Sequence, residues 1–260
     1  MGNYLSVAVD LARKAGKTQL DHLGRVTTIE RKGAINLVTE VDRLCEKQIF
    51  EGIHEEFPNH DFLGEEGVAK RSESEFCWIV DPLDGTTNYA HQFPFFGVSI
   101  ALEHKGELIC GVVYDPIREE IFAAEKEKGT TLNGKPVRVS GAPNLKESLL
   151  ATGFAYSVQE EGRPDNLNHF ANFIKTALAV RRPGAAAIDL AYVACGRLDG
   201  FWELFLKPWD MAAGVLLIRE AGGTVTSFNG STFDVYGDEI LASNGKIHEE
   251  MIEILTSGKK

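Results

Sequence analysis

The stretch Trp78-Ile79-Val80-Asp81-Pro82-Leu83-Asp84-Gly85-Thr86-Thr87-Asn88 decides how the chain is read. Residues 76–80 form a short apolar run that reads as a buried strand. Proline has no N–H for a ladder, so the strand is expected to stop at Asp81-Pro82. The chain then turns through Asp84-Gly85 into two threonines and an asparagine. Two carboxylates three residues apart on a tight turn can converge on one point, and hard cations such as Mg²⁺ favour such oxygen pairs. The N–H groups around Gly85 and Thr86 suit a phosphate, as a turn or helix start does. For the turn alone, an Asp-Gly turn with a threonine cap is the plainer alternative.

Two other acidic points lie far away in the chain. Gly64-Glu65-Glu66-Gly67 follows an expected strand at 61–63, and its glycines allow the backbone to bend. Glu65 and Glu66 taken by themselves also fit a solvated loop. Asp210, in Lys207-Pro208-Trp209-Asp210-Met211-Ala212-Ala213-Gly214, sits where an N-cap belongs ahead of a helix read over 211–221. A capping carboxylate still has a lone pair to offer a cation.

Around these points, apolar spacing predicts helices over 4–23, 39–57, 165–178, 185–195 and 246–255. Strands are expected at 96–102, 108–114, 121–124, 149–152, 200–204, 224–227 and 240–242. Gly222-Gly223 marks a helix stop. Helices alternating with strands in the second half predict an α/β sandwich with mixed sheets. At 260 residues the chain suits one domain over 1–260, with approximate halves 1–145 and 146–260.

The chain carries 27 basic against 38 acidic residues, a net charge of −11. Duplex and anionic-membrane binders carry a basic excess, so neither nucleic acid nor membrane is expected as a partner. Cys45, Cys77, Cys110 and Cys195 are scattered, with no metal-ligand spacing, and read as buried free thiols. With no apolar run of spanning length and no signal-peptide pattern at residues 1–4, the expected location is cytoplasmic.

The three acidic segments together resemble the inositol monophosphatase family. The likeness rests on Gly64-Glu65-Glu66, Asp81 to Asn88, Trp209-Asp210-Met211-Ala212-Ala213-Gly214, and Gly184-Ala185-Ala186-Ala187 with Glu203. It implies an α-β-α-β-α sandwich like that of inositol monophosphatases and fructose-1,6-bisphosphatases. It further implies Mg²⁺-dependent hydrolysis of a small phosphorylated polyol or sugar by direct attack of activated water. Inositol 1-phosphate is the leading substrate, and fructose 1,6-bisphosphate, histidinol phosphate and adenosine bisphosphate are alternatives. Glu65, Asp81 and the Leu83 carbonyl would hold one ion, Asp81, Asp84 and Asp210 a second, with a looser third near Glu65. Mn²⁺ would substitute, and Li⁺ would inhibit. Gly85 and Thr86 would bind phosphate, and Ala186, Glu203, Asp84 and Asp210 would meet the polyol. Asp42 and Thr86, with Glu65, would act on the attacking water, and Lys32 would lie in a loop over the site. The resemblance also implies a homodimer. Ala185 departs from the serine or threonine of many members, which bears on substrate choice.

Rival readings are weaker. Gly129 to Lys135 looks like a nucleotide loop, but Pro136 replaces the Ser or Thr that ligates Mg²⁺, and Asn133-Gly134 reads as a hairpin turn. Aspartyl-nucleophile phosphatases space their two acids by two residues, whereas Asp81 and Asp84 are three apart. A regulatory binding protein that kept the fold would be expected to have a damaged acid set. His91, shortly after Asn88, reads as surface or supporting; His22, His54, His60, His104, His169 and His248 read as solvated. Arg182 is a pocket, dimer or strand-end candidate, and Trp78, Trp202 and Trp209 read as packing anchors.

Overall fold

The computed structural model describes residues 3–25, 29–32, 36–70, 72–155 and 165–257. The chain begins with helix α1 (Tyr4–His22), a short hairpin of β1 (Ile29–Lys32) and β2 (Asn36–Thr39), and helix α2 (Glu40–Glu56). The Lys32 side chain lies outside the described residues. Strands β3 (Asp61–Gly64), β4 (Ala69–Lys70) and β5 (Phe76–Asp84) follow, then the single-turn helix α3 (Thr86–Ala90). A meander of β6 (Gly97–His104), β7 (Glu107–Asp115), β8 (Glu120–Glu125), β9 (Thr130–Leu132) and β10 (Lys135–Val137) completes an eight-stranded sheet. Its order is β10-β9-β8-β7-β6-β5-β3-β4, antiparallel except where β3 pairs β5. Asn133 (φ 49°) and Gly134 (φ 75°) form the β9–β10 turn, as a two-residue hairpin with both central residues left-handed requires.

The second sheet holds β11 (Leu149–Thr152), β12 (Ala179–Arg181), β13 (Gly200–Leu204), β14 (Thr224–Thr226) and β15 (Glu239–Ser243), in the order β12-β11-β13-β15-β14. β11 runs parallel to both neighbours, and the rest is antiparallel. Helices α4 (Leu167–Thr176), α5 (Ala186–Ala194), α6 (Pro208–Glu220) and α7 (His248–Ser257) connect and flank these strands.

Side-chain alternation along the strands sets the layers. On β5, Trp78 and Val80 pack under α1 and α2 with Leu11, Val41 and Ile49. Ile79 faces the opposite way, into a core shared with α5 and α6. On β13, Phe201 joins that same middle core, while Trp202 packs outward against α4 and α7 with Phe173 and Met251. Each large apolar side chain fully buried in this way contributes roughly 2 kcal/mol. The result is five layers: α1/α2, the eight-stranded sheet, α5/α6, the five-stranded sheet, and α4/α7. This is the mixed α-β-α-β-α sandwich expected.

Several boundaries differ from expectation. β5 does not stop at Pro82. It continues to Asp84 through an irregularity, with Asp81 opposite Ser99 and Asp84 opposite Gly97. Three steps on one strand face two on the other, so an extra residue is accommodated where Pro82 has no N–H to pair. α6 starts at Pro208 rather than Met211, because proline fits the first helical turn. Asp210 is therefore its third residue and Lys207 its cap. The helix expected over 165–178 is shorter, and β12 was not foreseen as an edge strand. His169 (9% exposed) and His248 (4%) are buried rather than solvated. His248 lies between the hydroxyls of Ser243 and Thr226, at 2.8 and 2.9 Å. His60 is half-buried and stacks on Phe76. Among the described residues, no helix is long and apolar enough to cross a membrane.

The Pro82 carbonyl inside the irregularity accepts from Gln19 Nε2 of α1 at 2.8 Å, and Gln19 is fully buried. Gln19→Leu leaves that carbonyl unpaired and is expected to lower stability by about 1–3 kcal/mol. Urea unfolding measures this, and an unchanged midpoint would remove Gln19 as the support of the bend.

Candidate active site

In a regular strand, residues three apart face opposite sides. The extra residue at Pro82–Leu83 restores Asp81 and Asp84 to one side, and both line a hollow of about 610 Å³. Glu65, at the end of β3, lines it too, as does Asp210 from the first turn of α6. The Leu83 residue, Gly85 and Thr86 edge the same space.

Backbone donors aim the acids. Asp81 Oδ1 accepts from Leu83 N at 2.9 Å, Asp84 Oδ2 from Ala187 N at 2.8 Å, and Asp210 Oδ2 from Lys207 N at 2.7 Å. Each of the three thus commits one oxygen to an N–H. The bond from Ala187 places Asp84 at the start of α5, where a carboxylate is favoured by the helix dipole. Gly85 has φ 87°, and a Cβ there would lie 3.1 Å from Phe95 O. Asn88 Nδ2 donates to Phe95 O at 2.7 Å and Pro183 O at 2.9 Å, tying the motif to the segment before α5.

Sequence reasoning credited Gly64 with bending, but space decides that position. A Cβ at Gly64 would come within 2.1 Å of the Glu46 carboxylate. Glu46 is buried on α2 and accepts from Glu66 N at 2.7 Å and Val68 N at 2.9 Å, fixing the loop that carries Glu65. Glu46 was missed; an acid on the apolar face of α2 was its signal. Asp42 does not line the hollow. It caps α2 by accepting from Thr39 N at 2.8 Å, and its other oxygen accepts from the Thr86 hydroxyl at 2.8 Å. Ala186 and Glu203 line the hollow, joined by Arg182 and by Asp189, which the sequence reading had not singled out. His91 is exposed and apart from it. Trp209 is half-buried in its wall, while Trp78 and Trp202 are fully buried anchors.

The acids oppose one another electrostatically. Burial, then Glu65, Asp84 and Asp210, hold the Asp81 carboxyl well above its usual range. Burial pushes Asp84 up to about 7 against backbone donors, and burial with the charge of Asp84 pushes Asp210 up to about 7. Among the described residues, no three such side chains already share one coordination sphere. An all-oxygen set of mutually repelling carboxylates nonetheless fits a hard divalent cation, which would relieve that repulsion.

The model of the inositol monophosphatase family matches residues 1–259. The chain belongs to the inositol monophosphatase family. Membership makes it a phosphatase, a phosphoric monoester hydrolase. An inositol-1-monophosphatase of Synechocystis sp. is 45% identical over 256 residues, 98% of this chain and 89% of that protein. The Nus factor SuhB of Pseudomonas aeruginosa is 43% identical, over 97% of this chain and 95% of its own. The structure of the extragenic suppressor protein suhB from Bartonella henselae matches with a TM-score of 0.94 at 40% identity, covering 99% and 100% of the two chains. An inositol monophosphatase from Anabaena (Nostoc) sp. gives 0.89 at 40% identity, covering 98% and 95%.

For this inositol monophosphatase relative, a stability profile reports the acid repulsion. Asp84 and Asp210 bind protons more tightly folded than unfolded. In chelator, the stability these two groups contribute should therefore be fully present below about pH 4 and be lost as pH rises through about 7. Mg²⁺ should flatten the decline. Asp81→Asn, which removes one opposing charge, should raise the melting temperature in chelator at pH 8 and blunt the response to Mg²⁺. Thermal melts with and without chelator check this, and a lowered melting temperature for Asp81→Asn would contradict it.

Proposed function

We propose that the chain hydrolyses the phosphate monoester of a small polyol, inositol 1-phosphate first among them, with magnesium as cofactor. The observation that carries the reading is the meeting of Glu65, Asp81, Asp84 and Asp210 in one hollow beside Gly85 and Thr86. Glu65, Asp81, the Leu83 carbonyl, Asp84 and Asp210 would hold two to three ions, Mn²⁺ substituting and Li⁺ inhibiting. Bound magnesium supplies charge to offset the phosphoryl oxygens and lowers the pKa of water.

The protein's own groups do the rest. The first N–H groups of a helix have no partners within it, so Gly85 and Thr86 at the start of α3 can bind the phosphoryl oxygens. Thr86 Oγ1 gives its hydrogen to buried Asp42, leaving lone pairs to accept from the attacking water. With Glu65, this pair positions the water and takes its proton as the new P–O bond forms and the ester P–O bond breaks, the departing alkoxide taking a proton from solvent water to leave as the alcohol. Ala186, Glu203, Asp84 and Asp210 would meet the alcohol portion. The reading extends to one catalytic unit over 1–260, a cytoplasmic location and a homodimer.

The likeness to proteins named Nus factor SuhB favours a second reading, a regulatory binding protein. A chain that captures a partner yet releases no phosphate at millimolar Mg²⁺ would carry it.

The test is phosphate release with Mg²⁺ from inositol 1-phosphate, fructose 1,6-bisphosphate, histidinol phosphate and adenosine 3′,5′-bisphosphate, with Li⁺ titrated alongside. Asp84→Asn should lower turnover by about two to three orders of magnitude while the fold survives; normal turnover would remove Asp84 from the mechanism. Glu203→Ala should reorder substrate preference more than it changes the Mg²⁺ requirement. The same ranking in both proteins would count against its contact with the alcohol.

A further inference from the structure

Asp189 is a charged side chain of the hollow without a task in the scheme above. Asp189 lies on α5, its N–H bonded to Ala185 O at 3.0 Å. It is 2% exposed, and its Oδ1 has no hydrogen-bond partner among the described residues. The side chain nevertheless lines the hollow. The helix around it is apolar and buried, with Ala187, Ile188, Leu190 and Ala191 in the middle core. A buried carboxyl oxygen left unpaired is costly, and such atoms in native proteins call for a donor.

Two neighbours define the surroundings. Glu203 and Arg182 line the same hollow, and the arginine charge acts on both Asp189 and Glu203. The wall beside Glu203 is shaped around it: a Cβ on Gly153 would come within 2.2 Å of the Glu203 carboxylate. Gly153 is itself held by buried Asn166, whose Nδ2 donates to the Gly153 carbonyl at 2.8 Å while Oδ1 accepts from Trp202 Nε1 at 2.7 Å. Two buried acids with one nearby cation form a polar wall that a hydroxyl-rich ligand satisfies, since each hydroxyl can donate to a carboxylate oxygen.

We propose that Asp189 is a specificity-determining residue: its carboxyl accepts a hydrogen bond from a hydroxyl of the substrate's alcohol portion, so that the hollow selects phosphate esters of polyols over esters whose alcohol bears no further hydroxyl. This rests on the phosphatase reading above. A site built to bond a hydroxyl discriminates strongly against an analogue lacking it, because its own polar group is then left unpaired.

The experiment measures kcat/KM with Mg²⁺ for inositol 1-phosphate and for p-nitrophenyl phosphate, in the wild-type chain, Asp189→Ala and Asp189→Asn. The ratio of the two values should fall about tenfold or more in Asp189→Ala. Asp189→Asn, which keeps an acceptor oxygen, should recover part of it. The melting temperature of Asp189→Ala should stay level or rise, since an unpaired buried acid has been removed. A ratio within twofold of wild type, or equal losses on both esters with a lowered melting temperature, would overturn the proposal and leave the phosphatase reading standing. Failure of the wild-type chain to hydrolyse either ester would overturn both.

Discussion

Crowding four carboxylates around one space is the constraint to which much of this fold answers. The decisive device is the irregularity at Pro82 in β5, because without it Asp81 and Asp84 would point to opposite faces of the sheet. A proline tolerates that position since it asks nothing of the neighbouring strand. Its carbonyl still needs a donor, and Gln19 reaches in from α1 to supply one. Tyr89, in turn, donates its hydroxyl to the Gln19 carbonyl at 2.7 Å. The outermost helical layer is thereby wired to the bend that sets the acids.

The remaining acids are delivered by different means. Glu65 sits at the head of a loop pinned by Glu46 through Glu66 N and Val68 N. Asp210 is aimed by the first turn of α6, and Asp84 by the first turn of α5. Both helices lie between the two sheets, so the hollow opens where the middle layer begins.

Much of this was legible in the sequence, for identifiable reasons. β5 and its neighbours showed as apolar runs with clear turn residues, and the acid motif announced itself by its order of residue types. The strand's continuation past Pro82 was hidden because a bulge is a relation between two strands, not a property of one. Asp210 was placed as a cap because proline's compatibility with a first helical turn competes with its reputation as a breaker. β12 is three residues long and lies at a sheet edge, too short for a periodic signal. His248 read as a surface group, and Glu46 went unremarked, since their partners, Ser243, Thr226 and the loop after β3, come together only in three dimensions. Asp189 offered one clue that composition could have yielded, an acid alone in a run of small apolar residues.

Bracing by backbone N–H groups limits how far the acid side chains can turn. Asp81, Asp84 and Asp210 each hold at least one oxygen against a backbone N–H. A wide ion such as calcium gathers about six to eight oxygens and profits from carboxylates that grip with both arms. Acids braced in this way have less freedom to turn both oxygens onto one ion, so a cation site built from them would favour a compact ion that keeps part of its own hydration.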